Sequence, residues 1–439
     1  MARNNRVTQM AAITVLLLPM ACSSLETPAP TPTANPSPTA TRPPTREAVP
    51  TATGFPTIVP PATEVAIPNP SQPPGPQHFE DDQPVKITEI YMATRTQGWG
   101  ISGPYVFRTD DGGDHWREVT PPHPGMSASE TQAYGAFEGG TVGWVVFSDA
   151  GRFAPNLVIW ATLDSGRSWT PSYPIYQEIY GDTTWAELRA GDAGHAWMAL
   201  RGVYVGAGSH DVAQLFRTTN AGVSWQPLAA DADLNWAFTG MEFADDQAGW
   251  LTWETLDPYD DGAPNYAVTS DGGLTWETRE LPAPLSSPTI FEDRVHNEPY
   301  APTFLTPTSM RVLVGSYGFM PPMPGDAPPP ESQNSYLYAS EDFGKTWLVN
   351  DLPEEVFASH YDLVFFDAAS ALLLGREIFQ TSDGGRSWDH VKSVFWDGQF
   401  SFVDASYGWA VATSDDEMAL VRTLDGGRTW AEVEAKVSR

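Results

Sequence analysis

With a formal charge of −31 at pH 7 over 439 residues, the chain repels phosphate backbones and anionic lipid, which excludes nucleic acid as a partner and favours partner surfaces that are basic or aromatic. A single cysteine excludes an internal disulfide. An aromatic content of 12% beside 37 glycines and 41 prolines, with short alternating runs and no helical apolar period, predicts an all-β protein.

Residues 1–21 read as an export signal: Arg3 and Arg6 precede the apolar run Ala11–Leu18, and Pro19-Met20-Ala21 lead into Cys22. The run is too short for a good membrane span. Cys22 directly after a signal core resembles the lipobox of bacterial lipoproteins, although Pro19 stands where that motif prefers Leu. The resemblance implies lipidation at Cys22 and anchoring to the outer face of a membrane or in the cell envelope; an ordinary signal peptide with a stray cysteine is the alternative. Residues 22–79 are dominated by Pro, Thr, Ala and Ser, with almost no large apolar side chains. They are expected to form an extended, disordered linker.

From residue 80 to 436 one pattern returns seven times: Ser/Thr-x-Asp-x-Gly-x-x-Trp. Its acidic position is Asp111, Asp164, Asn220, Asp271, Asp342, Asp383 and Asp425, and its aromatic position Trp116, Trp169, Trp225, Trp276, Trp347, Trp388 and Trp430. Each residue type suits a hairpin. The carboxylate or amide oxygen accepts from backbone amides just ahead, the Ser/Thr hydroxyl adds a second local bond, Gly supplies positive φ, and Trp covers the turn.

Upstream lies a second landmark, Gly98-Trp99, Gly143-Trp144, Gly249-Trp250 and Gly408-Trp409, with weaker equivalents at His195-Ala-Trp197, Met310-Arg-Val312 and Ala371-Leu-Leu373. Seven residues before the second member of each stand Met92, Phe137, Ala190, Phe243, Leu305, Phe366 and Phe402. The unit therefore reads as four antiparallel strands, the second beginning at Gly-Trp and the last at the box Trp. Repeats of this kind, about 40 to 50 residues long, predict a seven-bladed β-propeller of four-stranded antiparallel blades. An open solenoid would need atypical capping repeats.

The boxes resemble the Asp-box, or BNR, repeats of sialidases and related glycosidases. The whole unit is similar to the photosystem II assembly and stability factor family and its bacterial relatives. Those resemblances imply that the box residues are structural and remote from any functional site.

Length variation falls in two connections, between the second and third strands and between blades, which emerge on the same face. That face is the candidate binding surface, carrying Tyr173, Tyr176, Tyr180, Trp236, Tyr259, Phe291, Tyr300, Tyr317, Phe319, Tyr361 and Trp396. Aromatics of this kind suit a protein or glycan partner, or simply pack their own loops.

Catalysis has little support. No Arg-Ile-Pro or Arg-Leu-Pro motif of the sialidase kind occurs, and Arg108, Arg167, Arg217, Arg386, Arg422 and Arg428 sit at repeat positions that make them hairpin residues. The eight histidines lack metal-ligand spacing, and Asp257-Pro-Tyr-Asp260-Asp261-Gly262 reads as an acidic turn rather than a calcium loop. No catalytic residue, cofactor or metal is expected. The sequence thus predicts a monomeric, non-enzymatic, membrane-anchored interaction module outside the cytoplasm, an assembly factor by family resemblance. A sialidase-like or xyloglucanase-like glycoside hydrolase is the alternative.

Overall fold

The computed structural model describes residues 71–122, 131–149, 157–173, 182–203, 211–228, 238–253, 264–288, 290, 295–318, 334–414 and 417–439. The signal, Cys22 and nearly all of the Pro/Thr-rich segment lie outside the described residues.

The described strands form seven separate sheets, each holding one Asp-box. Blade one comprises Glu89–Met92, Gly98–Ser102, Tyr105–Thr109 and His115–Glu118; blade two Thr131–Glu138, Val142–Asp149, Ile159–Thr162 and Thr170–Ser172. Blade three comprises Asp182–Ala190, Ala196–Val203, Asp211–Thr218 and Gln226–Leu228; blade four Phe238–Phe243, Gly249–Trp253, Asn265–Thr269 and Glu277–Glu280. In blade five the first strand is broken into Val295–Pro299 and Thr303–Phe304, both paired with Met310–Gly318, and Asn334–Ser340 and Leu348–Asp351 complete the sheet. Blade six comprises Asp362–Phe365, Ala371–Leu374, Glu377–Thr381 and Asp389–Ser393; blade seven Asp397–Phe402, Gly408–Ser414, Glu417–Thr423 and Ala431–Glu432.

The second landmark lies where expected in five blades, with Gly98 opposite Met92, Gly143 opposite Phe137, Ala196 opposite Ala190, Gly249 opposite Phe243 and Gly408 opposite Phe402. Blades five and six correct the reading by one residue. There Met310 pairs with Phe304 and Ala371 with Phe365, so Arg311 and Leu372 occupy the tryptophan position, and Leu305 and Phe366 fall in the turn. A slip of one residue exchanges the two sheet faces. An arginine at this position hides the pattern, yet it does part of the tryptophan's work: its guanidinium lies 5.5 Å from the Phe365 ring of the next blade.

The apolar core is divided among the blade interfaces. Seven clusters of buried residues each combine side chains of two adjacent blades, and the cluster containing Ile90, Trp116, Trp409 and Val411 joins blade seven to blade one. Trp99, Trp144, Trp197, Trp250 and Trp409 are fully buried in these seams.

Closure is made by both ends of the described ring. Lys436–Val437 adds a parallel strand outside His115–Trp116 of blade one. Residues 82–85 then pair with 435–437 through Asp82 N–H to Val437, Val437 N–H to Gln83 and Val85 N–H to Ala435, at 2.8–2.9 Å. Further upstream, Gln72 exchanges two 2.7 Å backbone bonds with Trp169 of blade two. The His78 N–H donates to the buried Glu118 carboxylate of blade one at 2.8 Å.

Candidate functional site

The two faces of the ring are used differently. On the box face the Asp-box hydrogen bonds repeat seven times with little variation. The box Thr or Ser hydroxyl accepts from the glycine N–H four residues on at 2.8–3.0 Å. The Asp or Asn Oδ1 accepts from the backbone N–H four residues ahead of it at 2.8–3.0 Å. The other carboxylate oxygen, in all six aspartate boxes, meets the side chain of that same residue at 2.6–2.7 Å. At Asn220 the amide instead donates to Ser224 Oγ at 2.9 Å. Bonds from Thr346 and from Ser387 hold Asp342 and Asp383 down to pKa values of about 2. The fourth box residue, whatever its identity, donates its N–H at 2.7–3.0 Å to the turn joining the first two strands of its blade.

The fifth box residue is always glycine, whereas the fourth is also Ser165, Ala221 or Phe343, and both positions have positive φ. In five boxes an added Cβ at the fifth position would meet the preceding blade within 3.0 Å, namely Val119 at Gly166, Trp144 at Gly222, Leu228 at Gly273, Trp250 at Gly344 and Leu337 at Gly385; at Gly113 and Gly427 the nearest atoms stand at 3.5 and 3.3 Å. The repeat arginines have the hairpin role expected. Arg167, Arg386 and Arg428 donate to the carbonyl of their own box aspartate, while Arg217 and Arg422 reach box carbonyls of the next blade. The box carboxylates thus make their hydrogen bonds within the hairpin.

The opposite face receives the between-blade connections, and the structure sorts the candidate aromatics there. Tyr173 stands 61% exposed. Tyr361 is buried, its hydroxyl 3.3 Å from the Glu355 carbonyl. Tyr300 is half-buried against the seam of blades five and six and donates to Glu298. Trp396 is half-buried against Phe400 and Trp430. These last three support the fold rather than offer free rings. Tyr317 pairs through its backbone with His296; its side chain, and Tyr176, Tyr180, Trp236, Tyr259, Phe291 and Phe319, lie outside the described residues.

Besides Tyr173, side chains of this face that the sequence did not single out are exposed. Leu285 is 98% exposed, Phe395 84% and Phe357 38%, and they occupy the consecutive connections from blade four to five, six to seven and five to six. Leu163, Leu274, Leu348 and Leu424 are also exposed, but in or directly after the box hairpins of blades two, four, five and seven. Phe357 lies between the buried Val356 and Ala358, and Phe395 between the half-buried Val394 and Trp396, so composition does not tell which apolar residue of the run faces water; only burial does.

A second set escaped sequence reasoning: polar residues two apart in the first strands, which neighbour one another around the ring. They satisfy the inner backbone edge of the following blade, where no strand is left to pair. Gln399 and Ser401 bond to Ile90 and Met92 of blade one, Arg189 to the Met241 carbonyl, Thr239 to the Pro299 carbonyl and Thr303 to the Leu363 carbonyl. Here the carboxylates have partners. Glu187 and Glu242 flank Arg189, and together they outweigh the opposing effect of burial and raise the arginine's pKa. Glu89 accepts from Tyr91 at 2.6 Å. Burial, then the adjacent Glu89 charge, pushes the Tyr91 pKa well above the ordinary phenol value, the reverse of what a phenolate nucleophile needs. Among the described residues no group of His, Cys, Asp and Glu could hold a metal ion.

No protein-family model matches the chain, and no curated protein matches it. Solved structures with a similar fold include a YCF48 structure bound to D1 peptide, at 16% identity and TM-score 0.48 over 80% of this chain and 99% of that one. YCF48 from Cyanidioschyzon merolae is 14% identical, with TM-score 0.45 over 79% of this chain and 97% of that one. The GH93 α-L-arabinofuranosidase of Fusarium graminearum is 14% identical, with TM-score 0.40 over 66% and 90%. The chain is a seven-bladed propeller that structurally resembles both the YCF48 assembly factor and glycosidases.

Proposed function

We propose that the chain is a non-enzymatic interaction module, held outside a membrane by lipid on Cys22, that binds a protein or glycan partner through the between-blade face of its propeller. The observation that carries this reading is the placement of Leu285, Phe357 and Phe395 in water on three consecutive connections of a ring whose opposite face is saturated with its own hydrogen bonds. Rigid scaffolds with exposed apolar groups on variable loops are ordinary binding surfaces. The glycoside hydrolase alternative has less support at the inner strands, where two carboxylates free to flank a scissile bond would be its requirement and Glu89, Glu187, Glu242 and Glu298 each already have a partner.

The test is cross-linking and affinity capture from the native membranes with the full chain and with a Leu285→Ser/Phe395→Ser variant. Both positions are exposed, so the variant should melt as the parent does. A defined partner or glycan recovered with the parent and lost with the variant supports the reading; equal recovery by both refutes it. Fractionation after Cys22→Ser checks the anchor, which predicts release from the membrane fraction.

A further inference from the structure

On the outer part of blade six, Glu355, Glu377, Phe379, His390 and Ser393 line a pocket of about 330 Å³. Its position follows from the strands. Glu377 opens the third strand of the blade and Ser393 closes the fourth, directly opposite, so both stand at the between-blade face. Beyond the Ile378–Lys392 pair, Phe379 pairs with His390. Ser393 and His390 are three residues apart, and strand alternation would send them to opposite faces. A bulge between Ile378 and Phe379 in the pairing returns His390 to the side of Ser393, the kind of re-aiming that bulges accomplish. Glu355 comes from the connection between blades five and six.

The chemistry of the pocket is that of a cation acceptor. Ser393 Oγ donates to Glu377 Oε2 at 2.6 Å, and His390 Nε2 lies 2.7 Å from the same oxygen. Two donors on one carboxylate oxygen make no nucleophile relay, because the imidazole would have to stand between serine and acid. Among the described residues no lysine or arginine pairs with Glu355 or Glu377; Arg376 is held by both oxygens of Asp397, and Lys392 pairs with Ile378 on the other face. The pocket therefore presents two carboxylates over an aromatic wall, with exposed Phe357 two residues beyond Glu355 and exposed Phe395 two beyond Ser393.

We infer that this pocket receives the cationic side chain, lysine or arginine, of a protein partner whose flanking apolar residues seat on Phe357 and Phe395. The inference rests on the interaction-module reading and names the chemistry of its partner. A basic, apolar-flanked segment complements both the pocket and the strongly acidic chain, whereas a neutral glycan would bring no counter-charge to Glu355 and would leave Glu377 with only His390 and Ser393.

Fluorescence anisotropy of labelled Leu-Phe-X-Phe-Leu peptides, with X as Arg, Lys, citrulline or Glu, tests it on the full chain in 0.15 M salt, where long-range charge is screened. The Arg and Lys peptides should bind, with citrulline, the uncharged counterpart of Arg, about tenfold weaker or more. Glu377→Gln and Glu355→Gln should each weaken the Arg peptide about tenfold and shrink its advantage over citrulline, while Glu280→Gln, on the same face of blade four, should not. Equal binding of Arg and citrulline, an equal loss for Glu280→Gln and Glu377→Gln, or no binding of any peptide overturns the pocket. The two readings separate in the variants. If the Leu285→Ser/Phe395→Ser variant loses its captured partner while Arg and citrulline bind alike, the face stands and the pocket falls. A Glu377-dependent Arg peptide with no partner recovered from membranes gives the reverse.

Discussion

Replacing Thr269 by valine removes one oxygen from blade four and little else. The residue is 1% exposed, and its Oγ1 accepts from the buried Gly273 N–H at 2.8 Å and donates to Asp271 Oδ1 at 2.8 Å. Valine fills nearly the same volume, so no cavity opens. What it leaves is a buried N–H without an acceptor, a penalty of about 1–3 kcal/mol, while Asp271 can turn to water. A ring of roughly 350 residues melting as one unit has an unfolding entropy of about 0.7 kcal/mol/K, so a loss of about 2 kcal/mol lowers Tm by about 3 °C. Thr269→Ser keeps the oxygen, as blade five does with Ser340, and should melt close to the parent. Differential scanning calorimetry of the two variants, with amide exchange at Gly273, reads the effect. Equal melting temperatures and equal exchange at Gly273 in Val and Ser variants would refute the claim that the hydroxyl holds the hairpin.

The box aspartates make the ring acid-sensitive. Asp342 and Asp383, ordinarily near 3.8 and held near 2, contribute stability that is present above about pH 4 and lost as pH falls through 2; burial raises Glu89, which acts in the opposite sense. Thermal midpoints at pH 5 and 2.5 should differ, and Asp383→Asn, copying Asn220, should lessen the difference; a flat profile would contradict the assignment. Gly385→Ala should cost several kcal/mol, since its Cβ would stand 2.2 Å from Leu337 Cδ2 at φ 87°, whereas Gly112→Ala, whose nearest neighbour is at 3.0 Å, should cost about 1–2 kcal/mol. Denaturant midpoints compare them, and equal losses would sink the inter-blade explanation. Val437→Asp puts a charge at a position 1% exposed in the closing strand. It should cost about 3 kcal/mol or more and speed amide exchange first at the seam of blades seven and one; unaltered protection there would show that closure does not depend on this strand.

The architecture was legible because its signal is local and repeated. A turn built from Asp, Thr, Gly and Trp within eight residues announces itself in sequence, since the bonds that form it connect neighbours, and seven copies specify seven blades. Where Arg311 and Leu372 replace the landmark tryptophan the same reading slipped by one residue, because no Gly-Trp pair marks where the second strand begins. Ring closure was not legible: the 435–437 segment pairs with residues more than 300 positions away, and nothing local distinguishes it from a frayed end. Loop length marked which side of the ring carries the between-blade connections, but whether an aromatic there packs down, as Tyr361 and Trp396 do, or stands in water, as Tyr173 and Phe395 do, depends on what the structure presents beneath it. The inner-strand ladder and the pocket of blade six belong to the same class. Chain-local chemistry determined the repeat, and contacts between distant blades decided the side chains left for a partner.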